Sequence, residues 1–344
     1  MTDYKEIKGK TVQSLGSDIA NPSGEGQIWF NTAGSDYKTI VAVASWATGG
    51  NILTARDSGA VCGDKTAAIL AGGLISDHSV TLAGETYDGS SWTETNDLNT
   101  ARSRLPGMGS STAGLTAGGW ISSAGTALSE EYNGTSWAEG NALPVAKSGP
   151  GAAGTQTAGL TAGGGINTAG NVATSEVYDG TSWTEAATLN TSRGGSPGTG
   201  TQTAGFLLGG NYAPAPVSNP APYQKTAIVE EYNGTSWTEV ADLSVSRGWM
   251  AAAGTTSNAL VWQGMTGPTP AGVASSDTFD GTSWATGTAT PEVNSKAAGH
   301  GTTVGVAIGA GGYATPPPYK NTTLEYAFDT TLPPGAQNVK TITD

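Results

Sequence analysis

The sequence predicts an all-β propeller of six four-stranded blades, on three observations. A hexapeptide of the form aromatic-Asx-Gly-Thr/Ser-Ser-Trp occurs five times, at 87–92, 132–137, 178–183, 232–237 and 279–284. Its tryptophans, with a degenerate first copy at Ser45-Trp46, are separated by 46, 45, 46, 54 and 47 residues, the period of a blade array. A Gly pair precedes four copies, at 72–73, 118–119, 163–164 and 209–210, and returns at 311–312.

Each hexapeptide reads as a hairpin. Asp-Gly or Asn-Gly supplies residues that tolerate positive φ, and the flanking Tyr and Trp suit half-buried strands. The Asn133 and Asn233 copies also spell glycosylation sequons, but Asp holds the same slot in the other copies, so the turn explains the residue better.

In chain order, residues 1–38 lie outside the repeat and read as an arm. Its strand candidate contains Ile28, Trp29 and Phe30. Trp29 and Phe30 are adjacent and therefore point to opposite faces of a strand. The arm is expected either to pack on the parent domain or to dock onto another subunit.

The repeat is clearest at 147–192, as four short strands. The second ends in the Gly pair, the third at Tyr178, and the fourth starts at Trp183. Small residues before each pair suit inner strands crowded around an axis. In the fifth unit Gln263-Gly264 stands where the pair is expected. Trp46, Trp92, Trp137, Trp183, Trp237 and Trp284 are the repeated structural anchors. A base follows the Trp strand at Arg56, Arg102, Arg193 and Arg247, with Lys147 and Lys296 taken for that slot in the other two units. An acid stands two before the aromatic at Glu85, Glu130, Glu176, Glu230 and Asp277, on the same strand face as the ring. Acid and base are expected to pair as an internal brace; the alternative is a ring of charge at one mouth of the channel.

The sixth unit opens near Lys296 and passes Gly311-Gly312 to Phe328-Asp329, taken as its aromatic-Asx step. No Trp follows. The strand at Ser45-Trp46-Ala47 is therefore expected to supply the missing outer strand and close the ring, leaving no open edge. The propeller is then 39–332 and the tail 333–344.

Loops after the second and fourth strands emerge on one side. Two are rich in Pro, at 211–223 and 313–319; others carry Trp120 and the segment 265–270. Stiff loops hold aromatic side chains out at low entropic cost. Trp120, Tyr212, Tyr223, Tyr313 and Tyr319 are the candidate binding face.

Composition narrows the function. A net charge of −13 is the wrong sign for nucleic acid or an anionic membrane. Cys62 is the sole cysteine, so no intrachain disulfide forms. The N-terminal segment lacks the apolar core of a signal peptide, and no run has the length of a membrane span. His78 and His300 are far apart, and with one Cys they suggest no metal site; no cofactor and no enzymatic activity are expected. Paired carboxylates of a glycan hydrolase remain the enzymatic alternative.

Gly-Gly, then Tyr-Asp, then Trp, then Leu and Arg, at this spacing, resembles the kelch repeat over about residues 39–332. The Gly-Gln-Ile-Trp-Phe-Asn-Thr arm beside blades containing Gly-Thr-Gln-Thr-Ala-Gly-Leu resembles kelch-like virion proteins of marine bacteriophages. That resemblance implies a virion location, attachment to other virion proteins through the arm, and a tail-fibre or receptor-binding role toward a host surface glycan or receptor. Homo-oligomerisation stays open. The alternative is a capsid decoration, head-fibre or other structural subunit.

Overall fold

The structure, a computed structural model, describes residues 43–166, 170–212, 224–267, 272–314 and 319–329. Beyond these it describes the backbone of strands at 6–7, 10–11, 13–15, 28–31, 36–40 and 339–342. The chain divides into two units, Trp46–Tyr326 and a smaller one of Met1–Ser45 with Ala327–Asp344. The boundaries fall near 45 and 326 rather than at 38 and 332. The expected arm and the expected separate tail share one unit because Val339–Ile342 pairs with Asp36–Ile40, which pairs in turn with Ile28–Asn31. Gln13–Leu15 completes that sheet, parallel to Ile28–Asn31. Ile28, Trp29 and Phe30 thus form the strand expected of them.

Among the described residues, the larger unit comprises six four-stranded antiparallel sheets, a two-stranded ribbon of Gly165–Ile166 with Gly170–Asn171, and a single 3-10 turn, Val304–Val306. Blade 1 runs Ala60–Asp64, Ala67–Ala71, Gly84–Tyr87 and Trp92–Thr95, in spatial order from inside to outside. The inner strands of the following blades are Met108–Gly109, Gly151–Thr155, Gly198–Thr201, Ala251–Thr255 and Ala298–His300. Each inner strand touches the next, and Ala298–His300 touches Ala60–Asp64, so the circle is closed. In blade 6 the outer position belongs to Val43–Gly49, beside Thr323–Asp329. The N-terminal strand closes the ring as expected. Its aromatic partner is Tyr326, however, with ring centroids 4.8 Å from Trp46, and not Phe328. The sequence register of the last blade was two residues too late, a slip that keeps the same strand face.

Each hexapeptide forms its hairpin. The Asx side chain accepts from the two following amides, as Asp179 does from Thr181 and Ser182 at 2.8 Å. The turn glycines take φ between 88° and 94°. Tyr and Trp then face each other across the strand pair, with centroids 4.8 to 5.1 Å apart. Such ring pairs contribute about 0.5–1.5 kcal/mol each beyond their buried area. Every ring pair is also a wedge into the preceding blade. Tyr132 and Trp137 pack with Cys62 and Ile69 of blade 1, and Tyr87 and Trp92 with Ile308 and Ala310 of blade 6.

The acids and bases pair as an internal brace: Arg102–Glu130 at 2.8 Å, Lys147–Glu176 at 2.5 Å, Arg193–Glu230 at 3.0 Å, Arg247–Asp277 at 2.6 Å, and Arg56–Glu85. All these side chains are buried. Glu85, Glu130, Glu230 and Asp277 also accept from the chain arriving from the previous blade, as Glu130 does from Asn99 N–H at 2.7 Å. Lys296 does not occupy this slot. Asn294 does, donating to the Gly311 carbonyl at 2.8 Å, and Leu324 replaces the acid. Blade 6 thus substitutes both members of the ion pair together.

Gly-pair backbones take φ of 48° to 75° and then 101° to 121°. In blade 5 Gln263 adopts the same left-handed conformation at 59°, so the turn survives the loss of the glycine. The amide of the second residue of each pair donates to the carbonyl of the brace residue in the next blade, from Gly73 to Arg102 around to Gly312 to Arg56.

Candidate functional site: the channel mouth

Two residues beyond each brace residue the chain turns over the channel. Ser58, Arg104, Gly149, Gly195, Trp249 and Lys296 hold this place, and all six have φ between 54° and 61°. The left-handed backbone aims each amide at the carbonyl of the neighbouring blade's counterpart. Arg104 N–H donates to Ser58, Gly149 to Arg104, Gly195 to Gly149, Trp249 to Gly195, Lys296 to Trp249, and Ser58 to Lys296, at 2.7 to 3.1 Å. Six peptide groups from six blades therefore form a closed girdle, and their side chains line a cleft at one mouth of the channel.

The backbone geometry repeats while the side chains do not. Gly149 and Gly195 leave room for the Trp249 indole; a Cβ at Gly195 would stand 2.6 Å from its Cε2, and one at Gly149 3.1 Å from its Cη2. The indole lies over these two blades and reaches the guanidinium of Arg104, whose Cζ is 5.6 Å from its centroid. Trp120 holds the same guanidinium at 5.2 Å. Among the described residues the Arg104 side chain makes no hydrogen bond and no ion pair. Its stacked, half-buried guanidinium keeps its N–H donors for the cleft. Burial lowers its pKa, opposed by the charge of Asp57.

On the other side of Ser58 stands Lys296. Its Nζ is 4.9 Å from the Tyr313 centroid and 3.8 Å from Asp57 Oδ2, beyond hydrogen-bonding distance. Asp57 is 2 % exposed, and neither carboxylate oxygen has a hydrogen-bond partner of ordinary geometry. Burial raises its pKa, opposed by Lys296, Ser58, Arg104 and His78. Tyr313 packs edge-on to Tyr319 at 5.7 Å, and Tyr319 to His78 at 5.9 Å. Lys225 donates its Nζ to Asn211 Oδ1; burial lowers its pKa, and the charge of Lys296 adds to that.

Of the sequence-predicted face, Trp120 and Tyr313 reach the mouth, both half-buried. Tyr212 is half-buried at the end of the strand Ala204–Tyr212. Tyr223 lies outside the described residues. Tyr319 corrects the expectation of an exposed loop aromatic: it bridges back to Tyr313 and is only 8 % exposed. Arg104, Trp249 and Asp57 were missed. Sequence offers no clear signal for them: the column two after the brace residue reads Ser, Arg, Gly, Gly, Trp and Lys, and the next column, Gly, Leu, Pro, Ser, Met and Ala, varies as much. Among the described residues no group of three His, Cys, Asp or Glu side chains is placed to share a metal ion, and no helix is long and apolar enough to cross a membrane.

No protein-family model matches this chain, and no curated protein matches it in sequence. Among solved structures it resembles YjhT, with a TM-score of 0.65 at 12% identity, over 84% of this chain and 99% of that one. At that identity the likeness concerns the fold alone.

Proposed function

We propose that this chain is a binding protein of a virion, a kelch-type propeller that presents its girdled channel mouth to a receptor on the host surface. The observation that carries the reading is the mouth itself. A hydrogen-bonded ring fixes the backbone, and on it stand an indole, a guanidinium with unused donors and a lysine, with a second indole, Trp120, against the guanidinium. Preformed aromatic and Arg side chains on a rigid frame are the usual anchors of recognition, because little entropy is lost when they engage. The virion assignment rests on the sequence resemblance of arm and blades to phage proteins, and the arm strand is the part suited to attachment. The test has two arms. Cryo-electron microscopy of particles carrying the protein locates it, with a position at the tail tip or fibre expected. Fluorescently labelled protein is then applied to intact bacterial cells of a host panel. Retention that Trp249→Asn abolishes supports the reading; no retention on any host, or retention indifferent to the mouth, overturns it.

A further inference from the structure

The mouth specifies more than a generic contact. The propeller is strongly acidic in a chain of net charge −13, and five of its cations are consumed in buried braces. Arg104, Lys225 and Lys296 are nonetheless gathered on this one face, and Lys320, ion-paired with Glu292 at 3.2 Å, lies on the same side. Concentrating cations against the sign of the whole molecule creates a local anion site. Arg104 and Lys296 are girdle neighbours on either side of Ser58, and among the described residues neither side chain completes a hydrogen bond.

Beside them run an indole, a guanidinium and an indole, from Trp249 through Arg104 to Trp120. Gly149 and Gly195 are side-chain-free beneath Trp249, so the indole lies close against their backbone. The girdle carbonyls are already engaged, which leaves no backbone edge to read a nucleobase. A pyranose asks for less: an aromatic face for its C–H groups and donors for its charged substituent.

Building on the receptor-binding reading above, we infer that the mouth binds an acidic saccharide, a uronate- or sulfate-bearing sugar. Its ring rests on Trp249 and its anionic group takes the N–H donors of Arg104 and Lys296. The guanidinium donors of Arg104, stacked on indoles, and the ammonium of Lys296, held over Tyr313 without a hydrogen bond, are thereby satisfied, and the ligand's charge offsets that of the two cations.

The full-length protein is titrated, with tryptophan fluorescence and calorimetry, against oligogalacturonate, a sulfated galactan oligomer, a neutral galactose oligomer and ATP. Expected are binding of the uronate, the sulfated oligomer or both, weakening with added salt, and at least tenfold weaker binding of the neutral oligomer. Arg104→Asn and Trp249→Asn, which keep a residue tolerant of left-handed backbone, should each reduce affinity at least tenfold at unchanged Tm. Uronate against sulfate distinguishes the two sources of the charge. Equal binding of neutral and acidic oligomers, preference for ATP, or no saccharide binding would each overturn the inference. Cell retention that still depends on Trp249 while no acidic saccharide binds would reject this ligand class and leave the receptor reading standing.

Discussion

The amide of Ser58 donates to the carbonyl of Lys296 at 2.8 Å, joining residues 238 positions apart and closing the six-membered girdle. Ser58 sits at φ 56°, where a side chain is strained and glycine is not. Ser58→Gly is therefore expected to leave stability unchanged or raise it by up to about 1 kcal/mol, although glycine usually costs stability. Ser58→Pro removes the donor and forbids the φ, and should cost about 3 kcal/mol or more. Urea unfolding of the two variants checks the opposite signs.

The brace offers a second test, written into the molecule itself. Arg102 and Glu130 are fully buried 2.8 Å apart, so Glu130→Leu alone strands a guanidinium and should cost about 3–5 kcal/mol. Blade 6 carries Asn294 and Leu324 in the equivalent places. The double variant Arg102→Asn/Glu130→Leu copies that pair and should recover most of the loss. A double-mutant cycle measures the coupling; additivity of the two single losses would show that the pair does not act as a unit.

The architecture was legible because its determinants are local. A Tyr, an Asx-Gly turn and a Trp specify a hairpin without knowledge of the rest, and a fixed period stacks the hairpins. Closure by Trp46 followed from a missing Trp after the last Gly pair. The errors arose where a column changes chemistry. Asn294 carries no charge, so the nearby Lys296 is the base that the sequence offers for the brace, and the Asp after Phe328 makes that residue, rather than Tyr326, match the aromatic-Asx step. The mouth was not legible for a different reason. Trp249 becomes a platform only because Gly195 and Gly149, 54 and 100 residues earlier, lack side chains. That relation exists only once the ring has closed.

Asp57 makes anion binding at the mouth depend on pH. Its folded-state pKa is raised, chiefly by burial, so as pH falls it takes up a proton before an exposed Asp would. Protonation removes the negative charge beside Lys296 and Arg104. Binding of an anionic ligand should thus tighten as pH drops through that raised value, while Asp57→Asn binds tightly and without this pH dependence. The same shift has a stability consequence. Between the unfolded and folded pKa values the native state holds more protons, so stability falls as pH rises across that window and the cost persists above it. Asp57→Asn should accordingly be more stable than the parent at neutral pH, as read by thermal unfolding.

His300 acts in the opposite direction. It lies on the inner strand of blade 6 with Nδ1 2.6 Å from the Gly63 carbonyl, so the neutral ring carries its hydrogen on Nδ1. Burial lowers its pKa, opposed by the Gly63 carbonyl and by Asp64. As pH falls through the ordinary His value of about 6.5, the unfolded chain gains a proton that the folded one resists. Stability should decline there until the lower folded pKa is reached. His300→Asn keeps a donor at the Nδ1 position and should flatten this decline between about pH 7 and pH 5 in urea titrations.

Cys62 reports on ring closure. It is fully buried on the inner strand of blade 1, and burial pushes its thiol up to about 12. A thiolate is the reactive form, so the native protein should resist thiol reagents and label only through opening. The strand Val43–Gly49 is the outer strand of blade 6, whose Ile308 and Ala310 pack with Tyr87 and Trp92 of blade 1. Deleting residues 1–50 removes that strand, uncovers the edge of Thr323–Asp329 and frees Tyr326 from Trp46. Labelling of Cys62 in the truncated chain should accelerate by orders of magnitude and the cooperative melt should be lost. A truncated chain that melts and labels like the parent would mean that the six blades hold together without the N-terminal strand.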